Sequence, residues 1–303
     1  MLMSPSTGSI VGASILRRWS KPRREHLDAG LYFVGTLFQR ISLFLALPLL
    51  LRSLSAAQYG AFGLLQSAIN LLPAVLSLNL PATVTRLYFD GSTDSERRAI
   101  ATKLTVLSAC LGLLGASVVW LWVDAYPAPA AQVLGLAERD ALLATTLVLI
   151  GSLGSNHLQM GWGIWRAQNL AVRTATASAL SGVLFLAAVG ALASTHRLGV
   201  VSAIGAYAGA TALVGLSANA LAVAANLTGE GISYSTLGRE ALRYGLPVLP
   251  LLLALWGLGA GGRWIARATL TLDDTGRFTL ASQLATMMAL IGRSAYEIGR
   301  AHV

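Results

Sequence analysis

Apolar residues in this chain run in continuous blocks rich in Leu, Ala and Gly, separated by short and mostly basic segments. Eight blocks are about twenty residues long, at 31–51, 61–80, 104–123, 141–160, 174–194, 200–222, 242–261 and 279–295. A helix rises ~1.5 Å per residue, so ~20 residues cross a ~30 Å hydrocarbon core. The pattern predicts an all-α polytopic membrane protein of about eight transmembrane helices. An outer-membrane barrel reads instead as alternating segments of ~10 residues, which these are not.

Composition agrees. Hydrophobic residues make up 55% and charged residues 12%, with a mean hydropathy of +0.64; soluble chains carry roughly 25% charged residues. The single cysteine, Cys110, lies inside the third block and reads as a small lipid- or helix-facing residue. A net charge of +9 first suggests nucleic acid, but the cations lie beside the apolar blocks. Topology therefore explains them better, and no nucleic-acid partner is expected.

Lys and Arg divide unevenly between alternate loops. Thirteen fall on the side of the N-terminal tail, including Arg17, Arg18, Lys21, Arg23 and Arg24, and six on the other. The positive-inside rule places the tail in the cytoplasm, where it can also attract anionic lipid. The 124–140 segment, with Tyr126, Pro127 and Pro129, reads as an extracytoplasmic loop. The predicted organisation is a basic tail at 1–29, a six-helix lobe at 30–226, a linker at 227–241 and the start of a second lobe at 242–296. Residues 297–303, Glu-Ile-Gly-Arg-Ala-His-Val, can be encoded by a string that looks like a sequencing adapter read in frame. The reading is thus of a C-terminally truncated chain whose last seven residues are artefactual. A gene that runs through these codons to a natural stop would rule this out.

Catalytic signatures are missing: no HExxH, GxSxG, GxxxxGK[ST] or CxxC occurs, and no carboxylate pair lies within a block. No enzyme activity, cofactor or metal site is expected. Two cations fall within blocks, Arg40 near the middle of the first and Arg293 near the end of the eighth. A mid-span arginine costs ~2.5–3.5 kcal/mol on insertion scales. Arg40 therefore either lines a wet cavity and holds an anion such as phosphate, or bonds carbonyls or a polar side chain of a neighbouring helix. Arg293 reads as a snorkelling residue. Gln39 and Arg40, with Arg86 and Tyr88 after the second block, are the candidate substrate-binding residues. Arg86, Tyr88 and Asp90 could equally be interface anchors. Trp120, Trp122, Trp162 and Trp165 read as aromatic-belt residues. Pro48, Pro73, Pro247 and Pro250 predict kinks, and the glycine-rich run from Gly257 to Gly262 predicts a hinge or a close helix contact.

A family likeness rests on several short stretches. Leu47, Pro48, Leu51, Arg52, Leu54, Ser55, Tyr59, Gly60 and Phe62 resemble an apolar span followed by Pro, a basic residue and YG-x-F. Arg86-Leu87-Tyr88-Phe89 is similar to a basic-aromatic stretch, and Arg166 to a basic loop before the fifth helix. Gly276-Arg277-Phe278-Thr279-Leu280-Ala281 is similar to G-x-Y-x-x-A at the start of the eighth helix. Together they resemble polysaccharide-biosynthesis flippases of the Wzx/RfbX type, in the multidrug/oligosaccharidyl-lipid/polysaccharide exporter superfamily. Two departures stand out: Phe278 replaces the usual Tyr, and Gly262-Arg263 replaces a common Asp-Arg pair.

The resemblance implies two pseudo-symmetric lobes around a central cavity in a bacterial inner membrane. It also implies movement of an anionic, undecaprenyl-diphosphate-linked oligosaccharide by alternating access, with membrane lipid and other polysaccharide-assembly proteins as partners. Alternative expectations are a lipid II or multidrug exporter of the same superfamily, a membrane-embedded polysaccharide polymerase or ligase, and a membrane scaffold. The short 124–140 loop counts against the polymerase.

Overall fold

The computed structural model describes the backbone of residues 8–227, 229 and 232–300, and the side chains of residues 30–289 except those at 33, 228, 230 and 231. Arg293, the basic tail cluster and the 297–303 side chains lie outside the described residues. The elements are α1 (Gly8–Ser53), α2 (Ala56–Leu76), α3 (Leu80–Asp90), α4 (Asp94–Ala125), α5 (Pro127–Leu134), α6 (Glu138–Ala167), α7 (Ala171–Ser194) and α8 (Val200–Ala224). Then follow α9 (Tyr234–Trp256), a π-helical turn (Gly257–Gly261), α10 (Gly262–Thr269) and α11 (Leu272–Arg300). No strand occurs among the described residues.

Seven helical segments among the described residues are long and apolar enough to cross a membrane: Gly30–Ser53, α2, α4, α6, α7, α8 and Tyr234–Thr269. The chain is an all-α, multi-pass membrane protein. The eighth expected span, 279–295, lies on α11, which is helical but is not among those seven.

The burial pattern is that of a protein dissolved in lipid. Along the middle of α4, between Thr105 and Ala116, the buried positions are the small or polar Thr105, Ser108, Gly112 and Ala116. Leu113, Leu114, Val118 and Leu121 are 55–63% exposed on the opposite side of that helix. Lipid tails are as apolar as Leu, so association rests on close packing and interhelical hydrogen bonds, which small and polar residues provide. Three helix pairs are built this way. A Cβ on Gly35 of α1 would lie 2.8 Å from the Ala175 carbonyl oxygen of α7, and one on Gly151 of α6 3.0 Å from Ala208 Cα of α8. On α2, a Cβ at Gly60 would lie 2.6 Å from the Leu272 carbonyl oxygen of α11. Asn156 of α6 donates to Ser108 Oγ of α4 at 3.0 Å, and Asn219 of α8 meets His157 Nδ1 of α6 at 2.7 Å.

Two elements depart from the pattern read in the sequence. The expected span 61–80, read as one helix kinked at Pro73, instead ends at Leu76 and restarts as α3. Pro81 supplies no backbone N–H near the start of α3, and Leu78 and Asn79 take left-handed φ values of 52° and 60°. The expected 124–140 loop contains α5, with Pro127 at its first position and Gly135, φ 62°, closing its C-terminus. The linker also differs: α9 begins at Tyr234, so the predicted 227–241 stretch runs well into a helix. The ends near residues 30, 90, 170 and 225 share one face, the N-terminal face; those near 54, 126, 197 and 270 share the opposite one.

Candidate functional site

An open cavity of about 180 Å³ lies beside the middle of the Gly30–Ser53 span of α1 and the second half of α2. Arg40 and Phe44 of α1, Gln66 and Asn70 of α2, Tyr207 of α8, Arg263 of α10 and Gln283 of α11 line it. Its polar wall is internally bonded. Tyr207 Oη donates to Asn70 Oδ1 at 3.4 Å, Gln283 Nε2 to Gln66 Oε1 at 3.4 Å, and the Tyr59 hydroxyl to Gln283. Both guanidinium groups lie within electrostatic reach of the Tyr207 hydroxyl.

Arg40 lines this cavity and makes no hydrogen bond or ion pair among the described residues. Of the two roles open to it, facing a cavity is the one its position matches. Arg263 was missed. The sequence reading ends the seventh span at Gly261 and leaves Arg263 in a loop. The helix instead continues through the π turn into α10 and carries Arg263 inward. Its Nη1 donates to Gly63 O at 3.3 Å, while its Nε is buried without a partner among the described residues. The usable signal was the four-residue spacing of Arg263 and Arg267 directly after the glycine run, a helical repeat rather than a loop. Arg267 donates to Val133 O and Gln132 O, both at 2.7 Å, and so caps the C-terminus of α5 on the opposite face.

Trp264 Nε1 donates to Ser67 Oγ at 2.8 Å and Trp256 Nε1 to Ser67 O at 3.1 Å, pinning the α9–α10 segment to α2 on both sides of the π turn. The turn itself is not a close helix contact at Gly257 and Gly259, where an added Cβ would meet nothing within 4 Å. Among the described residues, no carboxylate lines the cavity. Among the described residues, no group of three or more His, Cys, Asp or Glu is placed to hold a metal.

The other three expected site residues lie elsewhere. Gln39 turns to α7 and donates to Ser181 Oγ at 3.2 Å. Tyr88 Oη accepts from Gln168 Nε2 at 3.4 Å. Arg86 sits at the N-terminal face, 3.8 Å from Asp90 and stacked over the Tyr244 ring at 5.1 Å. Asp90 and Tyr244, with Glu240 and Arg243, border a separate cavity of about 670 Å³ between α3, α4 and α9. That cavity is mixed in charge, and the exposed Arg86–Asp90 pair contributes little stability, ~0–1 kcal/mol. Trp165, read as a belt residue, is only 3% exposed and is packed inside the bundle.

No protein-family model matches this chain, and neither a curated protein nor a solved structure does. What fold and site define is a class: a multi-pass helical membrane protein with two arginines lining one open cavity.

Proposed function

We propose that this protein is a transporter in a bacterial inner membrane that moves an undecaprenyl-diphosphate-linked oligosaccharide between leaflets by alternating access. Its N-terminus is cytoplasmic in this reading, and polysaccharide-assembly proteins are its partners. The observation that carries the reading is the placement of Arg40 and Arg263 on one cavity with no carboxylate on its wall among the described residues. Inside a bilayer an uncompensated cation is expensive, and an anion that enters offsets the cost. Guanidinium holds phosphate oxygens bidentately and stays charged throughout a transport cycle. A cation exporter needs an acidic group in the same place, so a cationic drug fits this cavity less well.

The test is to replace Arg40 and Arg263 separately by Ala and by Lys at the native locus, then measure surface polysaccharide at matched protein level. A charge-assisted hydrogen-bond site contributes ~1.5–3 kcal/mol, so each alanine variant should lose about tenfold or more of export. Arg40→Lys should fall between wild type and Arg40→Ala. Wild-type polysaccharide in both alanine variants would overturn the assignment.

A further inference from the structure

On the face opposite the N-terminal one, α11 closes against α2. A Cβ on Gly60 of α2 would lie 2.6 Å from the Leu272 carbonyl oxygen, and one on Gly63 2.5 Å from Thr279 Cγ2. Thr275 and Thr279 of α11 are fully buried. At the inner end of this seam the Tyr59 hydroxyl donates to Gln283. Further from that face, Asn70 of α2 and Thr286 of α11 line the Arg40–Arg263 cavity. Along these two helices, the seam therefore lies between the cavity and the face.

The short helix that leads into α11 is held differently. Of the eight residues of α10, only Ala266 is buried. Apolar stabilisation scales with the area removed from water, so α10 gains little from it. Side-chain hydrogen bonds hold it instead: Arg263 to Gly63 O, Trp264 to Ser67 Oγ, and Arg267 to Gln132 O and Val133 O. The Arg267 pair alone reaches across to α5, where the cation also complements the negative end of the α5 dipole. Leu272 follows on the same side, its Cδ2 2.8 Å from where a Cβ on Gly135 would stand. Behind α10 lies the π turn, with open space at Gly257 and Gly259. Glycine adopts backbone conformations that other residues resist, so this end of α10 is a permissive joint. The other end is tied by one side chain.

We infer that Arg267 is a clasp. Its bonds to the C-terminus of α5 hold α10 and the first turns of α11 against α2, and their release lets the α2–α11 seam open toward the face opposite the N-terminal one. That such opening serves transport rests on the reading above; the clasp itself is a property of α5, α10 and α11.

The experiment reads the seam with a small charged methanethiosulfonate on the purified protein in a Cys110→Ser background. Thr275→Cys places a thiol in the seam, and Ser152→Cys places one at a fully buried position of α6. Arg267→Gln should speed labelling of Thr275→Cys about tenfold or more and leave Ser152→Cys unlabelled. Arg267→Lys, which keeps the charge and loses the fork of donors, should fall between. Arg197→Gln, which removes another cation of the same face, should label at the parent rate. An unchanged Thr275→Cys rate in Arg267→Gln overturns the inference. So does an equal rise at Ser152→Cys, which would make Arg267 a general support of the bundle. Labelling needs no substrate, so wild-type export in the Arg40→Ala and Arg263→Ala variants would refute the transport reading and leave the clasp standing.

Discussion

A single methyl group decides several contacts in this bundle. At Gly60, an added Cβ would stand 2.6 Å from the Leu272 carbonyl oxygen and 2.9 Å from the Gly276 nitrogen, both backbone atoms that cannot rotate away. Gly60→Ala should therefore force α2 and α11 apart. Overpacking of this kind typically costs about 1–3 kcal/mol, more than the ~1 kcal/mol that alanine gains over glycine in a helix. The expected outcome is a lower melting temperature of the detergent-solubilised protein, read by scanning fluorimetry. The same logic explains why Gln39 is not a cavity residue although it neighbours Arg40. A Cβ on Gly182 would lie 2.8 Å from Gln39 Cα, so α7 presses against that side of α1 and turns the amide toward Ser181.

Elements add constraints that no residue carries alone. Ser55 caps α2, accepting from the Gln58 N–H, while Gln58 Oε1 accepts from the Ser55 N–H at 2.9 Å; Thr93 and Glu96 repeat the device at α4. These reciprocal caps fix where α2 and α4 begin. The seventh span is built differently, with Pro247 and Pro250 inside α9 and then the π turn. Such turns occur mostly as single insertions, frequently at functional sites. Since Gly257 and Gly259 have open space at their Cβ positions, Gly257→Ala with Gly259→Ala should raise the melting temperature, each replacement favouring regular helix by up to ~1 kcal/mol. If the turn flexes in the proposed transport cycle, the same double variant lowers polysaccharide export. Higher stability with unchanged export would make the turn a static bend.

At the scale of the whole molecule, the positive-inside rule predicts sidedness: thirteen basic residues lie toward the N-terminal side, against five on the other once Arg263, which lines the cavity, is set aside. The chain has one cysteine, so Cys110→Ser gives a clean background. Leu227→Cys and Arg197→Cys then place one exposed thiol on each face. In spheroplasts, a membrane-impermeant maleimide should label position 197 at once and position 227 only after permeabilisation. The reverse pattern would put the tail outside and overturn the cytoplasmic placement.

The helical class and the long apolar helices were legible because a bilayer imposes them locally, whereas several ends were not: the third span begins ten residues earlier than read, at Asp94, and the seventh runs eight residues further, to Thr269. Each span must satisfy its own backbone and be apolar along its length, and both properties are written in consecutive residues. Arg40 was legible for the same reason, since a cation in the middle of an apolar block is costly wherever it points. The break at residues 77–79, the inward turn of Arg263, and the departure of Gln39, Arg86 and Tyr88 from the Arg40 cavity were not. They depend on which face of each helix meets which neighbour. Contacts between positions far apart in the chain set those faces: Gly35 with Ala175, Gly60 with Leu272, Gly151 with Ala208. Hydropathy fixes which segments can cross a bilayer, while the rotation of each helix about its own axis is fixed only by close packing in the folded bundle.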